Sequence, residues 1–387
     1  MTSIRALVPA DLERAVAVFD ARLGSGRGRA EPAVVAFFSR TVFEDPWADP
    51  ELPSLVAEDD DGRIVGFMTI SARRMRLASR PVRLAVCANL CVTPEAERRA
   101  TGIRLMQRAL QGPQDMAVSD SASDGARRMW MRLGGTTLPV SAIEWVRVFA
   151  PWRTGAQRAE ARLSRPRARR ALGCAAAALD RATVIAAPGL LVAPPSATGG
   201  EEPLTPRALV EALPAVADRV ALRPDYDEAY AAWLLGELAR VPARGELVAR
   251  LVRRSGSPSG GPGRIAGWYV YHLHAGRRCD VLTVAAPNES DVELVVDHLF
   301  AHAQRHGAAA LRGRLEPRLV NAVTRRRCLL RHGGPALLHT HDGELARAVL
   351  AGDALLTRLE GEWAASPVGS AAVGEGRMVA SGALGDG

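Results

Sequence analysis

The chain has 387 residues, 48% hydrophobic and 24% charged, the composition of an ordinary globular protein with room for two or three domains. Its net charge of +8 rests on 50 basic residues, all of them arginine, scattered along the chain. With 5% aromatic residues and no aromatic-interleaved basic stripe, composition speaks against nucleic-acid binding, and five scattered cysteines without a CxxC pair speak against a disulfide framework or a cysteine zinc site.

From the N-terminus, residues 4–23 read as a strand and then an amphipathic helix, with Asp11 as its cap and Leu12, Ala15, Val16 and Phe19 at helical spacing. Arg5, Asp11 and Glu13 interrupt any apolar run of the kind a secretory signal needs. A second helix is predicted over 33–43. SLVAEDDDGRIVGFMTIS then gives two strands around the turn Asp60-Asp61-Gly62. The extended run VRLAVCANLCV ends at Thr93-Pro94; Cys87 and Cys91, four apart on it, are expected to face one side as small buried residues. A helix follows to Leu110, MAVSDSAS reads as a strand, and DGARRMWMRL reads as a helix capped by Asp124 and stopped by Gly134-Gly135.

Residues 151–205 break the rhythm with a basic, Ala-rich helical stretch interrupted by Pro166 and a flexible connector, APPSATGGEEP. The most apolar part, Ala171 to Ala193, contains Asp180, Arg181 and Pro188 and is too broken to span a membrane, so the expected location is the cytoplasm without integral membrane association. Helices are predicted at 206–219 and 225–240, followed by the loop SGSPSGGPG. RIAGWYVYHL and DVLTVAA read as strands, DVELVVDHLFAHAQRH as a helix and AAALRGRL as a strand. LVNAVTRRRCLLRH reads as a last helix closed by Gly-Gly, and 365–387 as a disordered tail.

Two short sequences occur twice. GRIVGF at 62–67 returns as GRIAGW at 263–268, and Arg132-Leu133-Gly134-Gly135 returns as Arg331-His332-Gly333-Gly334. Similar spacing in the same order suggests a duplicated unit of about 150 residues.

The segment richest in chemistry is VTPEAERRATGIRLM, Val92 to Met106. A strand stops at a proline, a loop of small residues follows, and a helix begins; its N–H groups and positive end, with Arg98, Arg99 and Arg104, suit a pyrophosphate. The segment is neither a Walker loop nor a GxGxxG fingerprint.

The order hairpin, strand, proline, small-residue loop, helix, strand, helix, Leu-Gly-Gly resembles the GNAT acyltransferase superfamily. In that family Val-x-Pro leads into (Gln/Arg)-x-x-Gly-x-(Gly/Ala). Here Glu97-Arg98-Arg99-Ala100-Thr101-Gly102 stands in that register, with Leu105-Met106 at the apolar positions, and the resemblance covers residues 4–140. It implies an α/β fold with a mixed sheet and acetyl-CoA or another acyl-CoA as co-substrate, without a metal. Leu90, Cys91 and Val92 would face the pantetheine, and the N–H groups of Arg98, Arg99, Ala100, Thr101, Gly102 and Ile103 the pyrophosphate. Glu97 and Ala100 depart from the pattern, Glu97 being offset by Arg98 and Arg99.

In the second copy DVLTVAAP runs into Asn288-Glu289-Ser290-Asp291, where acidic residues replace the small-residue cradle. Tandem copies with one degenerate site resemble the mycothiol synthase and Fem aminoacyltransferase families. The implied division is 1–150 with the acyl-CoA loop, 151–205 as connector, 206–364 as the degenerate copy, and 365–387 as tail.

Acyl transfer needs a neutral amine, so a base is sought, and family members often place a tyrosine acid on the last helix. Trp130 stands at that position and its indole is no acid. Asp120 in the first copy and His272 and His274 in the second are the candidate catalytic residues. His298, His302 and His306, at i, i+4, i+8, are expected to form a half-exposed polar border, with no third ligand identifiable for a metal. The implied function is transfer of an acetyl or other short acyl group to an amine of a small molecule or peptide. The alternatives are a non-catalytic acyl-CoA-binding scaffold and a Fem-type aminoacyl or long-chain acyl transferase.

Overall fold

The computed structural model describes the whole chain except residues 1, 25, 27, 161–164, 187–198, 218, 256–262, 363–366 and 368–387. The connector APPSATGGEEP, the loop SGSPSGGPG and the tail from 365 therefore lie largely outside the described residues.

Two mixed sheets organise the fold. The first contains β1 (Ser3–Ala6), β2 (Leu55–Glu58), β3 (Ile64–Leu77), β4 (Arg80–Val92), β5 (Met116–Ser119) and β6 (Thr136–Leu138). The second contains β7 (Ile143–Val148), β8 (Gly200–Pro203), β10 (Glu246–Arg253), β11 (Ile265–Leu273), β12 (Arg278–Ala285), β13 (Ala310–Arg314) and β14 (Leu329–His332). β9 (Leu222–Pro224) pairs with the end of β3. β15 (Ala336–Thr340) returns to the first sheet, giving the orders β1-β2-β3-β4-β5-β15-β6 and β14-β7-β13-β12-β11-β10-β8.

The sheets thus exchange strands. β7, following the first sheet's last hairpin in sequence, lies between β13 and β14, while β15 lies between β5 and β6. Both are interior strands: β15 is buried on both faces, Leu337 in the core under the helix Asp124–Arg132 and Leu338 in the core under the helix Gly343–Leu350.

On the first sheet, α1 (Leu12–Leu23) and α2 (Pro32–Phe43) pack on one face, and α3 (Pro94–Arg98), α4 (Thr101–Leu110) and α5 (Asp124–Arg132) follow the central strands on the other. α6 (Pro151–Glu160) and α7 (Pro166–Ala186) form a helical hairpin. α8 (Pro206–Ala217), α9 (Glu228–Ala239), α10 (Glu289–Arg305) and α11 (Val320–Arg325) accompany the second sheet, and α12 (Gly343–Leu350) packs on β15. Trp47, in the segment after α2, packs in the second sheet's core, stacked on Tyr230 with ring centroids 3.5 Å apart. Arg73 and Asp45 form a buried ion pair at 3.0 Å beside it.

Several local expectations change. Asp11 does not cap α1; its carboxylate accepts from Arg5 and from the Val8 N–H, and the Arg5 bonds hold it down at about 2. Ser123, not Asp124, caps α5 by accepting from the Ala126 N–H at 3.2 Å. Cys87 and Cys91 point to opposite faces, because Phe67 pairs with Cys91 but Thr69 with Ala88, so β4 carries an extra residue between them. LLRH, predicted as helix, is strand β14, and ELVARLVR is a strand that periodicity did not single out. The two hexapeptides begin β3 and β11, but Arg132–Gly135 runs from the end of α5 to the start of β6 whereas Arg331–Gly334 includes the end of β14, so that second match is not structural.

Candidate functional site

β4 and β5 run parallel and pair only at Leu84–Met116, Ala85–Ala117 and Val86–Val118. Beyond Val86 the strands part. β4 continues to Val92 through a bulge at Asn89, whose φ is +55°, while β5 ends at Ser119. The gap is a cavity of about 130 Å³ lined by Phe19, Asn89, Leu90, Met106, Trp130 and Leu337, among others. Cys87 also lines it, but burial pushes its thiol up to about 12, so it is no nucleophile at neutral pH.

Along β4, Leu90, Cys91 and Val92 are the last three residues of the strand. β3 pairs with Cys91 and Val92, and β5 does not reach them on the other side. At the end of the strand, Ala100 adopts the left-handed conformation, φ +56° and ψ +25°, and starts α4 without any side-chain cap. The N–H groups of Arg99 and Ala100 are spent on the carbonyls of Ala96 and Glu97, both at 3.1 Å. Thr101, Gly102 and Ile103 hold the first three helical positions, whose N–H groups have no acceptor within the helix, and the helix dipole is positive there. Arg98 and Arg99 are exposed beside them. Glu97 is engaged by Arg22 of α1 at 2.7 Å, a partner from outside the loop, rather than by Arg98 or Arg99.

Glu362 also lines the cavity, and sequence reasoning did not find it. Its side chain comes from the C-terminal segment and lies against the end of β5. Oε1 accepts from the Ser119 hydroxyl and from the Asp120 N–H at 2.7 Å, and Oε2 from the Ser121 hydroxyl at 2.5 Å. These bonds favour the charged form, yet burial outweighs them and, with Asp120 nearby, pushes the carboxyl up to about 7. A buried carboxyl titrating near neutrality is suited to accept a proton. No residue spacing advertises it, since Glu362 follows a short irregular stretch after α12.

Asp120 is placed differently. One oxygen accepts from the Glu362 N–H at 2.9 Å, and the other pairs with Arg314 of β13 at 3.2 Å. It anchors the segment that carries Glu362. Trp130 is buried, and its indole N–H donates to the Leu338 carbonyl of β15 at 3.0 Å.

The histidines lie elsewhere. His272 is fully buried in the second sheet, its Nε2 donating to the Leu238 carbonyl at 3.1 Å, and burial pulls its pKa down to about 4. His274 follows β11, with its backbone N–H on the Cys279 sulfur. Neither lines the cavity. His298 and His302 are buried rather than half-exposed: His298 bonds Glu201 at 2.7 Å, and His302 bonds the Tyr271 hydroxyl at 2.9 Å.

Among the described residues no group of three or more His, Cys, Asp and Glu side chains is placed to hold a metal ion. No helix among them is long and apolar enough to cross a membrane.

No known family signature and no curated protein matches the sequence. Solved structures do match. A conserved protein of Enterococcus faecalis V583, described as a probable N-acyltransferase, has a TM-score of 0.55 at 7% identity over 88% of this chain and 72% of its own. A GCN5-related N-acetyltransferase of Anabaena variabilis has 0.53 at 10% identity over 88% and 73%. The N-myristoyltransferase of Saccharomyces cerevisiae, solved with myristoyl-CoA and inhibitors, has 0.50 at 10% identity over 87% and 79%. The chain has the mixed α/β fold of GNAT-type acyltransferases.

Proposed function

We propose that this chain moves a short acyl group from acyl-CoA to an amine in the cavity between β4 and β5, with Glu362 as general base. One observation carries the reading: the buried carboxyl of Glu362 lines the same cavity as Leu90 of β4 and Met106 of α4, the helix that starts uncapped at Ala100.

The free N–H groups of Thr101, Gly102 and Ile103, with Arg98 and Arg99, would take the pyrophosphate. The outer edge of β4 at Leu90–Val92 would take the pantetheine amides. An amine arriving as ammonium gives its proton to Glu362. Its nitrogen then bonds to the thioester carbonyl carbon, the C–S bond breaks, and the second nitrogen proton passes to the departing coenzyme A thiolate, leaving a neutral amide and free thiol. A thiol is acidic enough to leave with little help, which fits a last helix whose Trp130 N–H is committed to Leu338. A myristoyl-CoA-bound neighbour supports acyl-CoA as the donor class. The cavity, about 130 Å³ against the ~300–1,000 Å³ of sites for larger ligands, favours an acetyl-sized group.

The second copy supports no donor. Asn288 caps α10 by accepting from the Asp291 N–H at 3.0 Å, and Asp291, fully buried, is held by Arg254 and Arg264. We therefore keep the reading of tandem copies with one donor site, in the manner of the mycothiol synthase and Fem families, acting on a small-molecule or peptide amine. Asp120 serves in it as an anchor, and His272 and His274 have no part.

The test is free-thiol release from acetyl-CoA over an amine panel. Glu362→Gln should lower kcat by ~10²–10⁴-fold while acetyl-CoA binding persists. Gly102→Glu should abolish the rise in melting temperature with acetyl-CoA, a ligand effect worth ~2.7 kcal/mol at a hundredfold excess over Kd. Undiminished binding by Gly102→Glu would remove the donor site, and a silent Glu362→Gln would remove the base. Binding without thiol release from any amine would favour an acyl-CoA-binding scaffold.

A further inference from the structure

The second sheet has an opening of the same kind as the first. β12 and β13 run parallel and pair only at Arg278–Ala310, Cys279–Leu311 and Asp280–Arg312. Past Asp280 they part, and β12 is bulged at Leu282, since Val270 pairs with Thr283 but Tyr271 with Val281.

We propose that the chain's own C-terminal segment, residues 355–360, is the built-in ligand of this second opening, and that its seating there holds Glu362 in the first.

The backbone N–H of Arg358 donates to the Leu282 carbonyl at 3.1 Å, on the stretch of β12 that β13 no longer pairs. The Arg358 guanidinium reaches across the gap to Glu144 of β7, the strand beyond β13, at 2.7 Å. Leu355 and Leu359, each 2% exposed, join the core cluster that contains Leu282, Ala285 and Trp268. The Glu360 carboxylate accepts from the Tyr226 hydroxyl and from the Thr357 N–H at 2.6 Å and hydroxyl at 2.7 Å. The segment therefore has a backbone bond and an ion pair at the gap, two apolar anchors in the adjoining core, and a carboxylate held by Tyr226 and Thr357.

Two residues on, the chain is in the other opening. Gly361 makes the passage: a Cβ there would lie 2.3 Å from an Asp120 carboxylate oxygen, so no larger residue fits without moving that anchor. Arg358 and Leu359 are in this scheme positioning residues for Glu362. Granting the donor reading above, the chain binds one acyl-CoA, because the gap that would admit a second is already taken.

Hydrogen exchange read by mass spectrometry tests this on the full chain. Amides of 355–360 should exchange as slowly as those of β11 and β12; exchange as fast as an exposed loop would overturn the proposal without any variant. Arg358→Ala should speed exchange across 355–362 and lower kcat at least tenfold with KM for acetyl-CoA unchanged. Glu362→Gln should lower kcat while leaving 355–360 slow. Unchanged exchange and unchanged kcat in Arg358→Ala, or two acetyl-CoA bound per chain, would also overturn it. If acetyl-CoA neither binds nor turns over, the donor reading fails, while slow exchange in 355–360 still decides for the seated segment.

Discussion

The two openings start from the same backbone event and end in opposite states. In each sheet a parallel pair parts after three paired positions, and a bulge turns the longer strand away. At the first, the following helix starts at a left-handed alanine with no cap, and the gap is a cavity. At the second, Asn288 caps the following helix, Asp291 puts negative charge at its start, and residues 355–360 fill the gap. The proposed donor site differs from the filled gap in what is left unsatisfied. Free N–H groups and an unpaired strand edge make one opening receptive, and satisfying both closes the other.

The largest expected effect that probes this equivalence is steric. Gly66 and Gly267 stand at matching places in the repeated hexapeptides. At Gly267, φ is +151° and a Cβ would sit 2.0 Å from the Ala285 backbone oxygen. At Gly66 the nearest atom is Leu105 Cδ1 at 2.9 Å, the tip of a side chain that can give. Gly267→Ala should cost about 3 kcal/mol or more, and Gly66→Ala about 1 kcal/mol, both read from urea unfolding. The reverse order would show that the two hairpins are not packed alike.

Those glycines also mark what the sequence made legible. Periodicity located α1, α2, the first hairpin, β4 and α4, because their apolar spacing is set by the face they bury. The turn at Arg99–Ala100 into α4 was readable because small residues and a helix start leave local signs, whereas the short helix α3 at Pro94–Arg98 was read as loop. The exchange of β7 and β15 was not, since a buried interior strand carries no mark of which sheet it completes. Glu362 was missed for a related reason. Its meaning depends on Ser119, Asp120 and Ser121, more than 240 positions earlier, and on the burial they share. The side of the strand assigned to Cys91 failed on a single bulged residue, which inverts every side chain beyond it.

The next contrast is in pH. Burial holds His272 and His302 neutral, at about 4 against an ordinary 6.5. Their stability contribution is complete above 6.5 and lost as pH falls through about 4, up to ~3 kcal/mol for one such group. Glu362 has the opposite sign. Raised to about 7, it stabilises the fold fully below 4.5 and loses that contribution as pH rises through 7. Melting temperature against pH should therefore fall on the acid side in a way that His272→Gln reduces, and sag on the neutral side in a way that Glu362→Gln removes. Unchanged profiles in both variants would mean that these groups are solvated in solution.

The smallest expected effect separates the two helix starts. Ala100 holds φ +56° and ψ +25°, a conformation that costs an alanine roughly 1–2 kcal/mol and a glycine little. Ala100→Gly should therefore raise stability by up to about 1 kcal/mol, offset by the greater freedom glycine has when unfolded. Asn288→Ala should lower it by about 1 kcal/mol, because the side chain that accepts from Asp291 is lost. Thermal unfolding of both variants, with and without acetyl-CoA, tells stability from binding. Ala100→Gly leaves the N–H groups of Thr101, Gly102 and Ile103 where they are, so the acetyl-CoA-induced rise should persist. Asn288→Ala frees N–H groups at a helix whose gap is filled and whose first turn holds Asp291, so it should create no such rise beyond that of the unaltered chain. A larger acetyl-CoA response in Asn288→Ala would show that the cap, and not the seated segment with its acidic neighbour, is what keeps the second opening closed.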